Sequence, residues 1–171
     1  MEVESRAMSV SVRTLAENDR PWAIELMRER WGSELVVTHG KARDASSLEG
    51  FVAEVDGEPV GLATYETRGA ESELVTLDSM REQIGVGSAL VAAVANAAWR
   101  QGCRKLSVVT TNDNVRALGF YQRRGFALTA LRRGAVEKSR RIKPEIPELG
   151  LNYIPIRDEL ELALALTNRG A

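Results

Sequence analysis

The segment from Gly85 to Gln101 has the pattern of a helix that is apolar on most of its sides, and it lies between two strand-like runs. Such a helix cannot rest on a surface; it has to be buried against a sheet. Before it, Ser72-Glu73-Leu74-Val75-Thr76-Leu77-Asp78 alternates with the period of a strand. After it, Gly102 stops the helix, and Arg104 to Thr110 is rich in β-branched residues. A strand, a buried helix and a strand in succession require a right-handed parallel crossover.

Around that unit the pattern is antiparallel. Phe51 to Val55, the turn Asp56-Gly57 and Pro59 to Glu66 give a hairpin signal, which the run at 72–78 extends into a meander. Val10 to Leu15 reads as a strand. Asn18 or Asp19 can cap a helix with Pro21 in its first turn, running to about Trp31 and ended by Gly32. Glu34 to Thr38 fits a short strand or an extended loop. Downstream, Asn114 caps a helix to about Arg124, a strand follows from Phe126 to Leu131, and Gly134 to Arg141 fits a short helix. Asp158 to Leu166 alternates strictly and is read as a last strand with its leucines inward. The fold class expected is α/β (α+β).

A chain of 171 residues supports one domain with a substantial core, assigned here to residues 9–171. Residues 1–8 hold no apolar run, do not form a signal peptide and are expected to be disordered. With 23 basic and 24 acidic residues the net charge is −1, which argues against a general nucleic-acid binder. The longest apolar stretch, Ser88 to Trp99, spans 12 residues, well short of the roughly 20 that cross a bilayer. The single cysteine, Cys103, excludes an internal disulfide framework and reads as a small buried thiol, so a cytoplasmic location is expected. One histidine and one cysteine leave no zinc site and no Cys–His pair, and no metal is expected.

Two motifs carry the chemistry. In Ile84-Gly85-Val86-Gly87-Ser88-Ala89, paired glycines open the apolar helix, so a diphosphate can approach several unpaired backbone N–H groups closely. A P-loop is excluded because no Gly-Lys-Ser/Thr follows. A dinucleotide fingerprint is excluded because Leu90 stands where its third glycine would be. The second motif is Asn114-x-x-Ala117-x-x-Phe120-Tyr121-x-x-x-Gly125-Phe126. Asn114 can cap its helix and offer its amide to a ligand, Ala117 is small, and Tyr121 lies one turn further along the same face.

With both motifs in this order, the chain resembles the GNAT superfamily of acyl-CoA-dependent N-acetyltransferases. The resemblance covers most of residues 9 to 131. It implies a mixed, mostly antiparallel central sheet of about six to seven strands with helices on both faces. The stretch from Ile154 to Glu159 resembles a subgroup of uncharacterised bacterial members. One position departs from the pattern: where the family carries Gln or Arg ahead of the glycines, this chain has Glu82, flanked by Arg81 and Gln83.

The resemblance implies transfer of an acetyl group from acetyl-CoA to a primary amine by direct attack. The residues it implies for the donor are Leu77, Asp78, Ser79, Gln83, Ile84, Gly85, Val86, Gly87, Ser88, Ala89, Asn112, Asn114, Ala117 and Tyr121. Tyr121 is the expected general acid for the departing thiolate. An alkyl amine near pKa 10.4 is neutral only about once in 2,500 at pH 7, so a base matters. Glu73 is the expected base, acting through water, with Glu66, Asp78 and His39 as weaker candidates. Arg140 and Arg141, in a basic connection from Arg132 to Lys143, are expected to meet an anionic group on the acceptor. The partner expected is a small-molecule amine, with no nucleic acid and no membrane; a homodimer is compatible with this reading. Two alternatives stay open: a non-catalytic acyl-CoA-binding module, and an acetyltransferase for peptide or protein N-termini.

Overall fold

The structure, a computed structural model, describes residues 9–167. Nine strands and four helices follow in the order β1 (Val10–Thr14), α1 (Arg20–Trp31), β2 (Leu35–Thr38), β3 (Lys41–Asp44), β4 (Glu49–Val55), β5 (Glu58–Arg68), β6 (Glu71–Ser79), α2 (Val86–Arg100), β7 (Lys105–Thr111), α3 (Val115–Arg123), β8 (Ala127–Arg132), α4 (Ala135–Ile142) and β9 (Glu159–Ala165). Seven strands form one sheet in the order β1-β4-β5-β6-β7-β9-β8, and every pairing in it is antiparallel except β6 with β7. The parallel pair is the crossover that the apolar helix required, and the mostly antiparallel sheet matches the expected architecture. The call of disorder for residues 1–8 lies outside the described residues.

The sheet has a core on each face. On one, α2 buries Val86, Leu90, Val94 and Ala98, a stripe at helical spacing, against Ala53, Ala63, Leu74 and Leu106. Tyr121 of α3 and Leu162 of β9 extend the same cluster. On the other face α1 packs Ala23, Leu26 and Met27 on Val52 and Leu62. Gly32 ends α1 in the left-handed conformation at φ 81°, as the sequence suggested.

The region from Glu34 to Asp44 holds the short strand that is one of the two options expected for Glu34 to Thr38, together with a partner strand that the sequence did not suggest. It is a separate antiparallel hairpin, β2 with β3, turned by His39 and Gly40, both at positive φ. The signal was weak because β3 reads Lys-Ala-Arg-Asp and alternates no apolar residues. The last strand β9 inserts between β7 and β8 and pairs with both.

Candidate functional site

The site begins where the parallel pair fails. The ladder between β6 and β7 runs from Glu71–Lys105 to Leu74–Val108 and stops, although β6 continues to Ser79 and β7 to Thr111. A register shift on the other side of β6 leaves Val75 without a partner on β5, and a bulge of this kind bends a strand. Beyond it the faces are exchanged: Val75 joins the α1-side core, while Leu77 joins the α2-side core. The N–H of Met80 bonds the Val60 carbonyl at 2.8 Å, so by strand alternation the N–H groups of Leu77 and Ser79 face away from β5, into the opening.

One cleft, of about 460 Å³, enters this opening from the α2 side. The start of α2 forms one wall, with Gly85 at φ 87° as its N-terminal cap residue; α3 forms the other with Asn114, Ala117 and Tyr121. A side chain at Gly87 would meet the Phe120 ring at 3.0 Å, so the ring would have to shift by a few tenths of an ångström for anything larger than glycine to fit. Arg124, at the end of α3, lies over the Phe120 ring with its guanidinium 3.4 Å from the centroid, donates to the Phe120 carbonyl at 2.8 Å, and bonds Ser88 Oγ. A cation is thereby fixed beside the glycine loop. Glu82, the residue out of pattern, pairs with Arg116 of α3 at 2.7 Å.

Tyr121 lines this cleft and is only 6% exposed, with its ring edge-on to Phe120 and Phe126. Burial raises its pKa, and the nearby Asp78 charge adds to the shift, so the phenol stays protonated throughout the neutral range. Asp78 is itself buried and accepts a hydrogen bond from Trp31 Nε1 at 3.0 Å. Burial pushes its pKa above the usual aspartate value, with the Trp31 bond working against the shift.

A second cleft, of about 430 Å³, lies on the α1 side of the same opening. Its walls are largely apolar, with Trp31, Val36, Val75, Val109, Val136 and Ile156 among them, and Asn114 borders both clefts. Asn114 Oδ1 caps α3 by accepting from the Ala117 N–H at 3.1 Å, which leaves Nδ2 without a partner among the described residues. Beside this cleft, across Thr38, is a charged recess containing Glu73. Arg43 of β3 grips the Glu73 carboxylate with both terminal nitrogens, at 2.9 and 2.7 Å.

The matching family profile is that of the Acetyltransferase (GNAT) family, over residues 11–126. The chain belongs to the GNAT family. Among its relatives are two uncharacterised Bacillus subtilis (strain 168) proteins. YdhI is 43% identical over 80% of this chain and 86% of that protein; YxbD is 40% identical over 81% and 88%. Among solved structures, the IAA acetyltransferase of Bacillus cereus matches with a TM-score of 0.73 and 24% identity, over 92% of this chain and all of that one. A GNAT family acetyltransferase of Elizabethkingia anophelis with acetyl-CoA bound matches at 0.68 and 19%, over 92% and 98%.

The GNAT residues called from sequence divide into two groups. Leu77, Ser79, Gln83, Gly85, Val86, Gly87, Ser88, Asn114, Ala117 and Tyr121 all line the α2-side cleft, whereas Asp78, Ile84 and Ala89 are not in its lining. Asn112 is placed differently. Its side-chain oxygen accepts from the N–H groups of Arg157 and Asp158, and its Nδ2 donates to the Pro155 carbonyl. It ties β7 to the segment ahead of β9. Arg140 likewise stays out of the lining of the α1-side cleft, donating to the carbonyls of Ile146, Pro147 and Ile156, and Arg141 is exposed. Of the basic residues in this connection it is Lys143 that reaches the α1-side cleft, and its ammonium is bonded to the carbonyls of Trp31 and Leu35, both at 2.8 Å. Burial lowers its pKa. Arg116, Phe120 and Arg124 were missed; the helical spacing of Arg116, Phe120 and Arg124 at i, i+4, i+8 was the available signal.

Proposed function

We propose that the protein is an acetyl-CoA-dependent N-acetyltransferase acting on a small primary amine. The observation that carries this reading is the meeting of two clefts at Asn114, within the unpaired ends of β6 and β7. One cleft has the paired glycines and fixed cation that suit a diphosphate, and the other has the size of a small-molecule site. Structures of relatives with acetyl-CoA or CoA bound support the choice of donor.

Acetyl-CoA supplies a thioester carbonyl for the amine to attack and a thiolate to be protonated. In this reading the backbone N–H groups of residues 84 to 89, with Arg124 beside them, hold the diphosphate. Asn114 Nδ2 donates to the amide-bearing arm, and the N–H of Leu77 or Ser79 polarises the carbonyl. Tyr121 protonates the leaving sulfur. Glu73 takes the amine proton through water, with Thr38 standing between its recess and the acceptor cleft.

The test is Tyr121→Phe. Thiol release in the presence of an accepted amine should fall by roughly 10²–10⁴-fold, while calorimetric affinity for acetyl-CoA changes little. Unchanged turnover would reduce Tyr121 to a packing residue.

A further inference from the structure

Glu159 opens β9 in register between Thr111 of β7 and Arg132 of β8, lines the acceptor-side cleft, and is only 2% exposed. The single hydrogen bond of its carboxylate among the described residues comes from the His39 backbone N–H to Oε2 at 3.3 Å, and no cation of those residues lies within ion-pairing distance of it. Arg132, directly opposite, turns instead to Glu161 at 2.6 Å and leaves Nη1 without a partner. A carboxylate buried in an apolar cleft is costly unless a cation or several donors meet it. The cleft's own buried cation, Lys143, is already held by two carbonyls.

We infer that Glu159 is the carboxylate that receives the acceptor's amine, and that the acceptor is an apolar-bodied amine entering as its ammonium. The inference rests on the acetyltransferase reading above and names the substrate class for that site. It reverses the charge expected from the basic connection, because Arg140 and Lys143 are committed to backbone carbonyls. The other charged residues of the cleft lining, Arg30 and Glu145, are exposed, so the buried charge left for a ligand is negative. The apolar walls take the body of the molecule, an alkyl or arylalkyl group. As the ammonium loses one proton to the water beside Glu73, a remaining N–H still donates to Glu159 and the freed lone pair is available for attack.

Binding in the ternary complex separates this inference from the proposed activity. With CoA at saturation, 2-phenylethylamine, the neutral 3-phenyl-1-propanol and the anionic 3-phenylpropionate are titrated by calorimetry into the wild type, Glu159→Gln and Glu159→Asp. The amine should bind best to the wild type, at least about tenfold weaker to Glu159→Gln, and with partial recovery in Glu159→Asp. Acetyl-CoA affinity and the melting temperature should be little changed. Equal binding of amine and alcohol, preference for the carboxylate, or an unaltered amine affinity in Glu159→Gln would overturn the inference. Amine binding that depends on Glu159 without any thiol release would uphold it and sink the acetyltransferase reading instead.

Discussion

Arg43 and Glu73 form a two-pronged ion pair across the charged recess, and Arg43 also meets Glu66 at 3.1 Å. Every proton that a carboxylate gripped this way accepts must compete with the guanidinium. If Glu73 acts through water, Glu73→Gln should lower kcat by roughly 10²-fold for an alkylamine and by less for an α-amine, which is more often neutral at pH 7. Comparison of kcat/KM against pH for both acceptor types makes the measurement. Equal, small effects on both would leave Glu73 as a partner for Arg43 and nothing more.

The pair between Glu82 and Arg116 accounts for an acid beside the glycine loop that is proposed to hold the diphosphate. Hydrogen bonding to Arg116 lowers the Glu82 pKa, so the carboxylate is charged at any working pH. Glu82→Gln removes a negative charge from the loop and releases Arg116. Acetyl-CoA should then bind a few-fold tighter at low salt, with the gain shrinking as ionic strength rises, since the pair is exposed. A weaker complex would mean that the pair organises the loop rather than burdening it.

Much of this was readable in the chain because local signals agreed with the global fold. The alternation of 72–78, the apolar α2 and the β-branched β7 each point to the same crossover. The acceptor side was not readable, because it is made by elements distant in sequence. Thr38, Val75, Val136 and Glu159 meet there only after folding. Glu159 was hidden by a sound rule: when leucines alternate inward, the intervening glutamates are expected in solvent. The hairpin β2–β3 and the helix α4 lie over that face of β9, and Glu159 is buried while Glu161 remains partly open. Arg43 escaped notice because its strand carries no apolar alternation.

Asp78 gives a pH-dependent prediction. Its folded pKa is raised, chiefly by burial, so the folded state holds this proton to a higher pH than the unfolded chain does. The stability tied to that proton is complete below the ordinary aspartate range and is lost as pH rises through the raised value. Asp78→Asn carries no such penalty and keeps an oxygen for Trp31 Nε1. Its melting temperature should exceed that of the wild type at pH 7 by on the order of a few degrees, and the two should converge near pH 3. A lower melting temperature at pH 7 would show that the charge is stabilised by groups beyond Trp31.

The far wall of the acceptor cleft depends on one glycine. Asp113 is buried, accepts from Thr111 Oγ at 2.5 Å and from the Leu151 N–H at 3.0 Å, and so ties the end of β7 to the chain ahead of β9. A methyl group at Gly150 would lie 2.0 Å from Asp113 Oδ2 and 2.8 Å from the Ile156 side chain. Neither neighbour can retreat easily: Asp113 is fixed by its two bonds, and the Ile156 backbone is fixed by the bond from its N–H to the Glu148 carbonyl. Gly150→Ala should therefore destabilise the fold by about 1–3 kcal/mol or more, read from denaturant unfolding. Because Ile156 lines the cleft, KM for the acceptor should rise while acetyl-CoA affinity holds. If instead stability is unchanged, the segment from Leu149 to Pro155 shifts freely against β7, and it cannot be what holds Ile156 rigid in the cleft lining.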